Sequence, residues 1–150
     1  MSQKDNHLEL QNTITLDNIE TLVRRFYEKA MLDEDIGHFF ILELGDDLTN
    51  EDWIEHVGRL VDFWGTIFLE ERLYKSDPYG PHFTIIGLEQ EHFKCWMKLF
   101  NETADEIYIP DIAKKFKDEG LQYSKDFMRR LNEDRKEEDL KRLKSKIGWE

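Results

Sequence analysis

Apolar residues recur at helical spacing along most of this chain, and the β-branched residues never gather into alternating runs. One stretch runs through Ile19, Leu22, Val23 and Phe26, and similar stretches follow further along the chain. Charged residues make up 36% of the sequence and aromatic residues 13%, so little neutral polar sequence is left. Such a chain is suited to helices with one apolar and one charged face. The sequence therefore predicts an all-α fold, and its 150 residues suffice for one domain with one core.

Start and stop signals delimit the predicted helices. The first helix begins after an N-cap at Asp17 and ends near residues 32–33, and residues 35–37 form a turn. The next long helix begins close to a capping box over residues 49–52 and continues to Phe68. Both helices carry a wide apolar stripe, which predicts that they pack against the core.

Proline and glycine organise the second half of the chain. Residues 74–81 contain two prolines and a glycine, which exclude regular helix. A helix is predicted over residues 89–107, and Pro110 suits the first turn of the last helix. Gly120 interrupts that last helix and is expected to weaken it.

Three segments are predicted from this pattern. Residues 1–13 show no period and form a flexible N-terminus, and residues 14–131 form the folded domain. Residues 132–150 are a charged tail, either a charge-laced helical extension or a frayed end. We find no internal repeat, no linker and no second domain.

Charge and composition restrict the location and the partners. The formal net charge is −12, which disfavours nucleic acid as a partner and favours a monomer. The single cysteine, Cys95, rules out an internal disulfide and suits a reducing cytosol. Residues 1–10 are too polar for a signal peptide, and no apolar run is long enough for a membrane span. The sequence predicts a soluble, cytoplasmic protein that does not act at a membrane.

A few residues could carry chemistry. The chain has no zinc-type cluster, no phosphate-binding glycine loop and no nucleophile elbow. His82 follows the Pro/Gly loop and precedes an apolar run, while Tyr27, Trp64 and Trp96 place polar tips on apolar helix faces. A loop-end histidine and core aromatics are the ordinary interpretation of such residues. A single imidazole on a metal, facing a dry pocket with such donors, is also what a ligand-binding haem requires.

The chain resembles the third group of truncated haemoglobins in the order and spacing of several motifs. The resemblance runs from about Ile14 to Leu131. The matching motifs are Phe26-Tyr27, Phe40, Trp53-Ile54-Glu55-His56, Phe63-Trp64, His82 and the segment from His92 to Phe100. The glycine pairs typical of the other truncated-globin groups are absent, as the third group would have it.

The resemblance implies a globin-like two-over-two helical sandwich that holds haem b. His82 would coordinate the iron on the proximal side. Three residues would line the distal side and stabilise a bound ligand: Tyr27, His56 and Trp96. Three aromatic residues would pack against the porphyrin: Phe26, Phe40 and Trp64. His92 is interpreted as structural and not as a second ligand.

The resemblance further implies binding of dioxygen, nitric oxide or a peroxide at pentacoordinate iron. A polar distal side would hold oxygen too long for a carrier and would polarise its O–O bond, which favours redox detoxification. Nitric oxide dioxygenation or peroxidase-like turnover would be the enzymatic form, and either needs electrons from a partner reductase. Two alternatives stay open: a gas sensor or storage globin without turnover, and a haem-free helical interaction module.

Overall fold

A computed structural model of the chain describes residues 9–69 and 89–146. Within these two ranges the chain forms five helices. They are α1 (Leu16–Leu32), α2 (Gly37–Leu44), α3 (Glu51–Leu69), α4 (Gln90–Ile107) and α5 (Pro110–Lys146). None of the helices in these ranges combines enough length with enough apolar sequence to cross a membrane. The all-α fold predicted from the apolar periodicity is confirmed.

The N-cap of helix α1 lies two residues before Asp17, where it was predicted. Thr15 is the N-cap, because its side chain accepts a hydrogen bond from the backbone N–H of Asn18 at 3.1 Å. The Asn18 side chain accepts one in return from the Thr15 N–H at 3.0 Å. Asp17 instead lies in the first turn, where its negative charge stabilises the positive N-terminal end of the helix dipole. The prediction of Asp17 as the cap was wrong because it considered one side chain and missed this reciprocal pair.

The connection from α1 to α3 contains a short helix that the sequence did not predict. The turn predicted over residues 35–37 leads directly into α2. After α2, Gly45 adopts φ +90°, a conformation that favours glycine. Asn50 then accepts a hydrogen bond from the Trp53 N–H at 2.8 Å and so caps the start of α3. This start agrees with the signal predicted over residues 49–52.

The helices pack as two pairs. Helix α1 lies against α3, and α4 lies along α5, while α1 also contacts α4 and joins the pairs into one core. This is the two-over-two sandwich that the resemblance implies. At the N-terminus, the Gln11 N–H donates to Ile107 O at 2.8 Å, and the Ile109 N–H donates to Gln11 O at 3.0 Å. Gln11, inside the segment predicted to be flexible, is therefore held at the turn between α4 and α5.

Helix α5 continues through Gly120 without a break and extends to Lys146, which makes it 37 residues long. Leu131 is buried, and every side chain described after it is exposed. Up to Lys146, the charged C-terminal segment is therefore a helical extension beyond the core and not a frayed tail.

Candidate functional site

Tyr27 on α1 and His56 on α3 meet in the interior between these two helices. The Tyr27 hydroxyl lies 2.8 Å from His56 Nε2, a hydrogen bond between residues 29 positions apart. Tyr27 is 3% exposed, and burial raises the pKa of its hydroxyl well above the ordinary value. The hydroxyl is therefore neutral at physiological pH and keeps its proton as a hydrogen-bond donor.

Aromatic rings enclose this pair. The Tyr27 ring centroid lies 5.2 Å from that of Phe40 and 5.0 Å from that of Trp53. Trp53 is fully buried and also contacts the His56 ring at 5.7 Å. Trp53 belongs to one of the motifs that carry the resemblance, but no role in the site was predicted for it. Its spacing of three residues from His56 puts both on one face of α3, and this spacing could have indicated its place in the site.

Phe26 connects the Tyr27 side of the site to Trp96 on α4. The Phe26 ring lies 5.0 Å from Tyr27 and 5.4 Å from Trp96, in edge-to-face geometry in both cases. Trp96 is half-buried. Its indole N–H has no protein acceptor within the described ranges, unlike the indole of Trp53, which donates to Gly45 O at 2.8 Å. As far as the described residues are concerned, the indole N–H of Trp96 is therefore available to a ligand.

Beyond Trp96 the rings form a stacked column between the helix pairs. Phe100 stacks on Trp96 at 4.9 Å and on Trp64 at 5.3 Å, and Trp64 stacks in turn on Phe68 at 5.9 Å. Trp64 is 2% exposed. Phe100 ends one of the motifs that carry the resemblance, but no place in the site was predicted for it, because stacking across elements leaves no signal in the local sequence. The column places buried aromatic rings next to the polar tips of the site.

Two further histidines, His82 and His92, were interpreted from the sequence. His82 lies outside the described residues, and its role as the proximal ligand stays a prediction from the sequence. His92 is structural, as predicted, because its Nδ1 accepts a hydrogen bond from the Glu89 N–H at 2.8 Å at the start of α4. It therefore contributes to capping the helix.

Cys95, the single cysteine of the chain, contacts the C-cap residue of α1. It is half-buried, and its thiol donates to the Asp33 carboxylate at 3.2 Å. Burial and the neighbouring Asp33 raise the pKa of the thiol to about 11, so it stays protonated. Cys95 is therefore an unreactive donor that helps to fix Asp33 at the C-cap of α1.

The arrangement can bind a small ligand that carries partial negative charge. A neutral hydroxyl and an imidazole are hydrogen-bonded to each other among aromatic rings, and Phe26 links this pair to the ring of Trp96. A low local dielectric among these rings strengthens each hydrogen bond. Of the seven residues predicted from the sequence, the structure brings six into this one region. They are Tyr27, His56, Trp96, Phe26, Phe40 and Trp64.

Comparison with known proteins gives one consistent result. No family model matches the chain. A curated relative, the group 3 truncated hemoglobin ctb of Campylobacter jejuni, is 34% identical over 96 residues, which cover 64% of this chain and 74% of the relative. The crystal structure of group III truncated hemoglobin from Campylobacter jejuni superposes with a TM-score of 0.76 at 28% identity, and the match covers 82% of this chain and 95% of that one. Sequence and fold agree, and this chain belongs to the group III truncated haemoglobins.

Proposed function

We propose that the protein holds haem b through His82 and binds dioxygen, nitric oxide or a peroxide beside Tyr27, His56 and Trp96. Membership of the family makes the chain a globin-type haem protein, and the choice of ligand and residues is our proposal. The observation that carries it is the 2.8 Å hydrogen bond between the buried Tyr27 hydroxyl and His56. A polar pair enclosed by aromatic rings is suited to a small polar ligand in an apolar pocket.

The residues of the site fit a haem. The macrocycle is a flat apolar surface, and Phe26, Phe40 and Trp64 would supply the rings that pack against it. His82 would hold the iron through a neutral imidazole nitrogen. Bound haem would supply an iron atom that takes a diatomic ligand and exchanges electrons with it. The chain itself then has to orient that ligand and exclude water.

Tyr27 and His56 can act together on a ligand. If His56 Nε2 carries its proton, it donates to the Tyr27 oxygen, and the Tyr27 hydroxyl is free to donate its own proton elsewhere. Trp96 supplies a second donor. A hydrogen bond to a charged acceptor contributes about 1.5–3 kcal/mol, so each of the two donors would slow ligand release by ~10-fold or more.

Slow release favours turnover over transport. Donors that hold dioxygen tightly also draw electron density towards its outer atom, which weakens the O–O bond. We therefore favour redox detoxification, either nitric oxide dioxygenation or peroxidase-like turnover. Both reactions need electrons, which a partner reductase would supply.

The visible absorption spectrum tests this proposal. We expect a Soret band that shifts when carbon monoxide is added to the reduced protein. In His82→Ala the band should be lost and should return with added imidazole, whereas the control His92→Ala should keep it, because His92 caps a helix. A colourless protein that takes up no haemin would contradict the proposal and would favour a haem-free helical module.

A gas sensor or storage globin without turnover is a second candidate. The donors at Tyr27 and Trp96 favour it as well, because tight binding by itself suits storage and sensing. Nitric oxide consumption in the presence of dioxygen and a reductase separates the two candidates. Consumption supports detoxification, and its absence in a protein that binds both gases supports the sensor.

A further inference from the structure

We propose that Trp53 is a positioning residue that sets the geometry of the Tyr27–His56 hydrogen bond and is itself oriented by the backbone at Gly45. This inference rests on the proposed function, because it assigns a task to a residue behind the same site. Neither residue was among the predicted site residues. A ligand-stabilising pair stays in place only if the side chains behind it hold it there, and Trp53 is such a side chain for Tyr27 and His56.

Trp53 contacts both partners of the hydrogen bond. Its ring lies 5.0 Å from Tyr27 at an interplanar angle of 63°, and 5.7 Å from His56 at 84°. Because Trp53 is fully buried, it cannot move without disturbing the packing around it. A rotation of this one indole would therefore displace both Tyr27 and His56.

A single hydrogen bond orients the indole. Its Nε1–H donates to Gly45 O at 2.8 Å. A flip of the ring would leave a buried donor unpaired, which costs free energy and selects one orientation. The position of the Gly45 carbonyl therefore determines the orientation of Trp53.

The Gly45 carbonyl is fixed by its own surroundings. Gly45 has φ +90°, and its N–H donates to Ile41 O at 2.9 Å. The Asn50 side chain donates to Leu44 O at 2.8 Å and accepts from the Trp53 N–H at 2.8 Å. Asn50 thus joins the end of α2 to the start of α3, and the Gly45 turn couples to the site through Trp53.

Two substitutions act at different points of this connection. Trp53→Phe keeps an aromatic ring against Tyr27 but removes the donor to Gly45 O. Gly45→Ala changes no side chain at the site, yet it strains the turn, because the φ is positive and the new Cβ would lie 3.1 Å from Asn50 Nδ2. Gly58→Ala is the matched control. Gly58 lies on the same helix as His56, and a Cβ there would meet nothing within 4 Å.

Two readouts separate positioning from folding. The ring nitrogen NMR signals of His56 report the hydrogen bond with or without haem, and Tyr27→Phe gives the reference for its loss. We expect Trp53→Phe and Gly45→Ala to move these signals towards the Tyr27→Phe position and to speed oxygen release by ~3–10-fold. Gly58→Ala should change neither readout.

The outcomes distinguish this inference from the proposed function. If Trp53→Phe and Gly45→Ala fold but leave the His56 signals as in the unmodified protein, the positioning role is refuted. If both variants move the His56 signals while Tyr27→Phe leaves oxygen release unchanged, positioning is supported and the ligand-stabilising role of Tyr27 is refuted. Gly45 lies outside the site, so Gly45→Ala removes no ring contact. A shift of the His56 signals in this variant therefore cannot come from a lost ring contact.

Discussion

Two buried tyrosines in this protein satisfy their hydroxyl groups in different ways. Tyr27 is bonded to His56 at 2.8 Å, and Tyr108 donates to Asn18 Oδ1 at 2.7 Å. The Asn18 side chain is also bonded to the backbone N–H of Thr15 and the carbonyl of Thr13. Tyr108 therefore belongs to a closed structural network. Tyr27 faces an imidazole that can either donate or accept, and when His56 Nε2 donates, the Tyr27 hydroxyl proton is free for a ligand.

At this residue scale we expect Tyr27→Phe to raise the oxygen dissociation rate by ~10-fold, because it removes one donor to the ligand. Stopped-flow ligand replacement measures this rate. The matched control is Tyr108→Phe, which should cost about 1–3 kcal/mol of unfolding free energy and leave the rate unchanged. Equal rates in both variants would refute the role of Tyr27.

At the scale of elements, two helical glycines have opposite surroundings. Gly58 in α3 is exposed, and a Cβ there would meet open space. A Cβ on Gly120 in α5 would lie 3.2 Å from Cε2 of Phe100. Phe100 is held from both sides, because it stacks on Trp96 and Trp64. Gly120 therefore lets α5 approach α4 closely, and its helix-weakening effect is the cost of that approach.

These surroundings predict opposite effects of the same substitution. Gly58→Ala should stabilise the protein by about 0.5–1 kcal/mol, because alanine has the higher helix propensity. Gly120→Ala should destabilise it by about 1 kcal/mol, because overpacking against Phe100 outweighs the same gain. Urea denaturation of both variants measures the difference. A stabilised Gly120→Ala would show that Phe100 moves aside easily.

At the scale of the whole molecule, helix α5 has a core half and an extended half. Leu131 is 5% exposed, whereas Leu140 further along is 51% exposed. The extension carries exposed ion pairs, such as Arg129–Glu133 at 3.3 Å and Arg142–Glu138 at 3.9 Å. Each exposed pair contributes only about 0.3–0.5 kcal/mol. We therefore expect the extension to add little to the stability of the sandwich, and the end of the domain at residue 131 stays a prediction.

A chain that ends after Asp134 tests this boundary. We expect its unfolding free energy to lie within about 1 kcal/mol of the full chain, because among the described side chains only exposed pairs and half-exposed leucines are lost. Leu131→Ala should cost about 3 kcal/mol, because it leaves a cavity in the core. Thermal or urea unfolding measures both. A truncated chain that unfolds as readily as Leu131→Ala would place residues 135–150 within the domain.

The sequence was sufficient for features that depend on neighbouring residues. The apolar period, the start of α3 near Asn50 and the start of α5 at Pro110 all follow from contacts within a few positions. Helical hydrogen bonds join residues four apart, so their signals are local. The motifs of the family added Tyr27, His56 and Trp96 as site residues.

Only the tertiary structure decided which distant groups meet. It paired Tyr27 with His56, set Trp53 behind both and oriented it through Gly45. It also showed that Gly120, which was predicted to weaken its helix, lets α5 approach Phe100 of α4 closely. These relations depend on how helices far apart in the sequence pack side by side, and no local period of apolar residues records that packing. Burial of apolar residues determines which face of each helix turns towards the core. The orientation of each polar side-chain group depends on the partner that the fold brings into contact with it.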